Sequence, residues 1–129
     1  MRRSPTYKRG DVVMVNLEPV IGSEQGRTRP AVVMSNLETM RKSGAVPLYV
    51  IIPFTTAGKL GGILAPQVAE RPGGLPADST ALTMHIRSID PARVVRTVGK
   101  LNAAELAPLE RGVLALVGLE SLSSGADNG

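Results

Sequence analysis

The sequence predicts a mainly β domain, a small and strongly curved barrel of short antiparallel strands closed by one C-terminal helix. Three observations carry this expectation. Glycine and proline supply 14 and 10 of the 129 residues, a density that favours frequent turns over long helices. Short runs rich in β-branched residues recur between those turns. Helical periodicity occurs over one long stretch only, near the end. With 43% hydrophobic and 20% charged residues the composition is that of an ordinary globular protein. Its length suits one domain able to bury a core without metal or disulfide staples. Tyr7, Tyr49 and Phe54 are the only aromatic residues, so that core is aliphatic.

The elements follow in order. Asp11–Leu17 reads as a first strand, entered through Arg9-Gly10-Asp11. Residues 18–29 form a polar loop of about a dozen residues, a length that usually signals function or disorder. Pro30 holds Arg29 extended, and Ala31–Ser35 reads as a second strand buried on both faces. Asn36–Gly44 accommodates a short helical turn with Asn36 as its N-cap. Pro47–Pro53 gives the strongest strand signal, bounded by two prolines, and Phe54-Thr55-Thr56 leaves it. Leu60–Val68 is a weaker hairpin arm and Glu70–Asp78 a loop. Ser79–Ile86 and Arg93–Val98 are two further strands, turned by Asp90-Pro91. Asn102 and Glu105 have capping-box spacing, and Leu106, Leu109, Val113 and Leu116 fall at helical spacing. Pro108 should kink this helix or delay its start. Residues 1–119 thus make a single domain, and 120–129 a small, polar, flexible tail.

Composition also excludes chemistry. There is no cysteine, hence no disulfide framework, thiol nucleophile or thiolate metal site. A single histidine, His85, rules out any two-histidine metal motif. No apolar run spans a bilayer and no signal peptide is evident, so a cytoplasmic protein without a membrane partner is expected. Net charge is +4, and residues 1–42 hold eight basic against four acidic side chains while the rest hold seven of each. That clustering fits a polyanion partner or a solvated basic surface. No P-loop or nucleophile elbow is present. The Arg, Thr, Glu and Gln left on loops suit stabilising charge on a phosphate.

Several ordered blocks then resemble one family. Arg9-Gly-Asp-Val-Val, Gly22-Ser-Glu-Gln25, Arg29-Pro-Ala-Val-Val33 and Ser35-Asn36 look like the N-terminal signature of the MazF/PemK toxin endoribonucleases. Val50-Ile-Ile-Pro-Phe-Thr-Thr56, Gly74-Leu-Pro-Ala-Asp-Ser79, Arg87-Ser-Ile-Asp90 and Gly99-Lys-Leu resemble its later blocks. The resemblance runs from about Tyr7 to Leu119. It implies an SH3-like barrel of the CcdB/Kid type, a homodimer that cuts single-stranded RNA without metal or other cofactor, and a cognate antitoxin protein that blocks the RNA groove. In that chemistry the substrate's own 2′-hydroxyl attacks phosphorus, leaving a 2′,3′-cyclic phosphate and a 5′-hydroxyl.

By motif match the resemblance makes Arg29 and Thr55 catalytic. A guanidinium holds two phosphate oxygens in a fork and stabilises transition-state charge, and it can give a proton to the leaving oxygen. The alternative is a structural arginine before a proline. The Thr55 hydroxyl would bond a phosphoryl oxygen, or else cap the turn after its strand. Thr56 is a supporting contact. Glu24 and Gln25 can read base edges or simply order their loop, and Arg27 can meet a backbone phosphate. Arg87, within the Arg-Ser-Ile-Asp block, and His85 complete the expected RNA-binding set. No metal ligand set is expected.

Met84 and His85 stand where many members carry Asp-Gln, and in the PemK-like branch that Asp has a catalytic role. Either Arg29 and Thr55 suffice, or His85 moves a proton as an imidazole can near neutral pH; a stacking or surface role is the alternative. Met14 replaces a common Trp, which should alter packing rather than chemistry. Two rival readings exist. A gyrase poison of this barrel would need an aromatic-containing C-terminal tail, absent from residues 120–129. A catalytically inactive RNA-binding barrel would present more stacking aromatics than this chain holds.

Overall fold

The computed structural model describes residues 6–17, 28–44, 48–56, 61–68, 75 and 77–120. Seven strands, β1 (Asp11–Asn16), β2 (Thr28–Val33), β3 (Tyr49–Thr55), β4 (Gln67–Val68), β5 (Ser79–Ala81), β6 (Arg87–Ile89) and β7 (Val94–Lys100), join one sheet. Helix α1 (Leu37–Ser43) lies between β2 and β3, and α2 (Ala103–Leu116) ends the described fold. The strand order is β4-β5-β3-β2-β1-β7, with β6 paired to the far end of β3. Every pairing is antiparallel. Two irregularities in the β1–β7 ladder, between Val12 and Val13 and between Met14 and Val15, add local twist and bend that edge.

The central strands are buried on both faces, as the run Ala31–Ser35 predicts. On one face Val12, Val32, Ile52, Phe54 and Ala81 pack with Leu101 and with Leu106 and Leu109 of α2. On the other, Val13, Val15, Ala31, Val33 and Ile51 pack with Tyr7, Tyr49 and Ile89. Each fully buried Val, Leu or Ile contributes about 1.5–3 kcal/mol relative to exposure. The Tyr7 and Tyr49 rings meet edge to face at 5.5 Å, and the Tyr49 hydroxyl accepts from the Tyr7 backbone N–H. Arg9 ties the entrance of β1 to two other elements, donating to the Met34 carbonyl at 2.8 Å and pairing with Glu110 of α2.

Both helices begin as the sequence predicts. The Asn36 side chain accepts from the Thr39 N–H, and Gly44, at φ 79°, closes α1 after seven residues. Asn102 and Glu105 form the complete capping box. Contrary to expectation, Pro108 does not delay α2, which starts at Ala103 and includes it. Leu106 and Leu109 face the core, but Leu116 is exposed; the close contact of the next turn belongs to buried Gly112.

Strand boundaries differ from expectation at several places. β3 continues through Pro53 to Thr55, because the Pro53 carbonyl accepts from the Leu82 N–H at 2.9 Å and that edge asks nothing more of it. β2 starts at Thr28 rather than Ala31, held by its pairing with β1. The single strand expected over Ser79–Ile86 is broken. β5 pairs with β3 at Phe54 and Thr55, and β6 pairs with β3 at Tyr49–Ile51. From Phe54 back to Ile51 is three steps, while from Ala81 on to Arg87 is six. A 3-10 turn over Thr83–His85 takes up the excess. The strand expected over Leu60–Val68 is confined to Gln67–Val68 within the described residues. The expected tail beyond Glu120 lies outside them.

Candidate active site

Arg29 and Thr55 come together where β2 and β3 diverge. The β2–β3 ladder pairs Val33 with Ile51, Val32 with Ile52 and Ala31 with Pro53, then ends. Beyond it Arg29 is paired with Val15 of β1 and Thr55 with Thr80 of β5, so each is anchored from its outer side. A cleft of about 370 Å³ opens between the parted ends, lined by Met14, Thr28, Arg29, Pro30, Phe54, Thr55, Thr56 and Ser79. Val15, beside Arg29, is fully buried, and so are Thr80 and Phe54 on the opposite wall. The functional groups therefore project from backbone that the core fixes.

The electrostatics follow from the lining. Among the described residues Arg29 is its sole charged member, and no carboxylate pairs with it. Around it stand three hydroxyl-bearing threonines and Ser79, whose Oγ donates to the Ala77 carbonyl at 2.9 Å. A half-buried guanidinium among hydroxyls can hold an anion the size of a phosphate, with Arg29 supplying charge and hydroxyls able to donate. Among the described residues no carboxylate or imidazole stands in that lining. The described residues include no group of three or more His, Asp or Glu able to hold a metal ion.

The remaining expected site residues distribute unevenly. Thr56 lines the cleft and is exposed. Glu24, Gln25 and Arg27 lie outside the described residues. His85 ends the 3-10 turn and Arg87 opens β6 opposite Ile51; both are exposed, and neither lines the cleft. Since Thr55 lies four residues further along β3, Arg87 stands roughly 13 Å from it in the strand direction. Met84, at the position of the common Asp, is 65% exposed and outside the lining as well. Met14, expected to matter only for packing, borders the cleft opposite Pro30. Thr28 and Ser79 are lining residues that sequence reasoning missed. Thr28 could have been found by carrying the antiparallel register past Pro30; Ser79, which opens β5, ended a motif block but drew no site role from it.

Residues 8–117 match the family described as PemK-like, MazF-like toxin of type II toxin–antitoxin systems. The chain belongs to this family. Endoribonuclease MazF9 of Mycobacterium tuberculosis is 34% identical over 105 residues, covering 80% of this chain and 89% of that protein. MazF of Deinococcus radiodurans superposes with a TM-score of 0.66 at 27% identity, covering 91% of this chain and 99% of that one. The same organism's MazF in a MazE–MazF crystal gives 0.70 at 26% identity, covering 92% and 100%. The mainly antiparallel sheet with its C-terminal helix is thus the MazF fold, and the protein is a homologue of the MazF endoribonucleases. No helix among the described residues is long and apolar enough to cross a membrane.

Proposed function

We propose that this MazF-family toxin cleaves single-stranded RNA within the Arg29–Thr55 cleft, at sequence-selected sites, using the RNA's own 2′-hydroxyl as nucleophile. The observation that carries the reading is the meeting of one guanidinium, unpaired among the described residues, with threonine hydroxyls at the parted ends of two core strands. The 2′-oxygen bonds to the adjacent phosphorus as its proton leaves to water, and the P–O5′ bond breaks. The 5′-oxygen takes up a proton, donated by Arg29 or by water. The products are a 2′,3′-cyclic phosphate and a 5′-hydroxyl. Arg29 binds the phosphoryl oxygens and stabilises the added negative charge, while the Thr55 hydroxyl donates to one of them. Thr56 supports the adjoining strand of RNA. Glu24, Gln25 and Arg27 read or hold the flanking nucleotides, and exposed His85 and Arg87 extend the RNA path beyond the cleft. Because the nucleophile belongs to the substrate, the reaction proceeds without metal or cofactor.

The protein acts in the cytoplasm as a homodimer restrained by a cognate antitoxin. Met84, Leu114, Val117 and Leu119 are exposed apolar side chains. Leu114 also borders a depression of about 480 Å³ lined by Met34, Val50, Ile86 and Val113 together with Arg9, Ser35 and Glu110. The exposed apolar side chains support self-association. The MazE–MazF crystal of the Deinococcus homologue supports an antitoxin partner.

The test is cleavage of a long single-stranded RNA in EDTA, with both new ends mapped, beside Arg29→Ala. Discrete cuts with cyclic-phosphate and 5′-hydroxyl ends, slowed roughly 100-fold or more in the variant, are expected. Full activity in folded Arg29→Ala would overturn the site assignment. No cutting by dimeric native protein would favour the inactive or gyrase-directed reading.

A further inference from the structure

The β2–β3 ladder stops one pair short of Arg29 and Thr55, and a single missing hydrogen explains where it stops. Along a strand, successive residues present their N–H and C=O to alternate sides. The Met34 N–H donates to the Val50 carbonyl at 2.7 Å, so on this strand Val32 and Pro30 also face β3. The Gly10 N–H donates to the Val33 carbonyl at 2.7 Å, so Ala31 and Arg29 face β1. On β3, the Pro53 carbonyl accepts from the Leu82 N–H, so Pro53 faces away from β2 while Ile52 and Phe54 face it. The last registered pairs are Val32 with Ile52 and Ala31 with Pro53. The next facing pair would join position 30 to Phe54; the Phe54 N–H can still donate to the Pro30 carbonyl, but the second bond, which would close the pair, would run from an N–H at position 30 to the Phe54 carbonyl. Proline has no such hydrogen.

Past this point, among the described residues, β2 is registered with β1 and β3 with β5. Had the ladder continued, Arg29 and Thr55 would have faced each other directly, with Cβ atoms about 5 Å apart and backbone hydrogen bonds closing the space between their strands. Instead the cleft lies there, with Pro30 and Phe54 in its wall.

We propose that Pro30 is a positioning residue of the cleavage site: by withholding a backbone N–H from the Phe54 carbonyl, it ends the β2–β3 ladder and holds open the gap between Arg29 and Thr55. The proposal rests on the reading that those two side chains act on the scissile phosphate. Pro30 also keeps Arg29 extended through its ring, and the test separates the two effects. Pro30→Ala restores the N–H and removes the ring. Lactic acid at position 30, introduced by semisynthesis, has the same methyl side chain but an ester oxygen in place of the N–H.

In Pro30→Ala, the new amide should be protected from hydrogen exchange and show through-bond coupling to the Phe54 carbonyl by NMR. Its kcat should fall roughly 10- to 100-fold, the scale of a misplacement of about 1 Å, without loss of thermal stability. The lactic-acid protein should cleave within about threefold of the native rate. An unprotected amide in Pro30→Ala, or native activity despite a protected one, would overturn the proposal. So would a lactic-acid protein as slow as Pro30→Ala, which would assign the effect to the ring. If the native protein itself cuts no RNA, the endoribonuclease reading fails on its own, and amide protection still decides whether Pro30 ends the ladder.

Discussion

Gly112→Ala places a methyl group where α2 lies closest to the rest of the molecule. An added Cβ would stand 2.8 Å from the Ile63 carbonyl oxygen, 3.0 Å from Thr83 Oγ1 and 3.2 Å from Thr83 Cγ2. Neither residue can easily yield. The first contact is with main chain, and Thr83 is fully buried in the 3-10 turn whose neighbours are fixed by the Leu82–Pro53 and Thr83–Leu64 bonds. Overpacking of this kind costs about 1–3 kcal/mol, with the backbone contact pushing toward the upper end. Against it stands the better helix propensity of alanine, about 1 kcal/mol. The expected balance is a loss of about 1–2 kcal/mol. With a urea slope of about 1–3 kcal/mol/M, the unfolding midpoint should fall by roughly 0.5–1 M at unchanged slope, and the melting temperature by about 3–8 °C. Urea unfolding followed by far-ultraviolet circular dichroism reads this directly. A midpoint equal to or above that of the native protein would refute the reasoning, because helix propensity alone would then govern the site.

Further outcomes follow from other contacts. Asn102→Ala removes the acceptor for the Glu105 N–H and breaks the capping box, so stability should drop by about 1 kcal/mol; an unchanged urea midpoint would contradict the cap's role. Single-stranded RNA affinity should weaken with salt along a log–log slope of about −0.7 per phosphate neutralised, measured by fluorescence anisotropy, and Arg87→Ala should flatten it by about one such step. His85→Gln should leave the pH–rate profile unchanged, since His85 stands outside the cleft lining; a lost inflection near neutral pH would make it a proton carrier.

What the sequence revealed, and what it withheld, divides along a physical line. β1, the start of β3 and the capped origin of α2 were legible because local pattern and burial agree there. Arg29 and Thr55 were reached by motif resemblance, and the structure brings them to one cleft. The Ser79–Ile86 segment misled because its composition suits a strand throughout, while its break depends on a three-residue register difference set by β3, which no local window contains. Pro53 likewise read as a stop. A proline ends a strand only if the side it faces demands a donor, and here that side offers Leu82 instead. Gly112 gave no signal, since a glycine's need for closeness is visible only once its neighbour from another element is in place.

The parting of β2 from β3 gives the cleft the mechanics of a pair of jaws. Arg29 and Thr55 sit on separate arms, and the ladder between those arms ends at Ala31 with Pro53, next to Val32 and Ile52, two side chains fully inaccessible to solvent. The aperture is therefore set by packing at a hinge that never meets RNA. A methylene gained or lost at Val32 or Ile52 would change the spacing of guanidinium and hydroxyl at the far end of a lever two to three residues long. Catalytic tuning in this protein can thus be written in the core, in aliphatic side chains that carry no chemistry of their own.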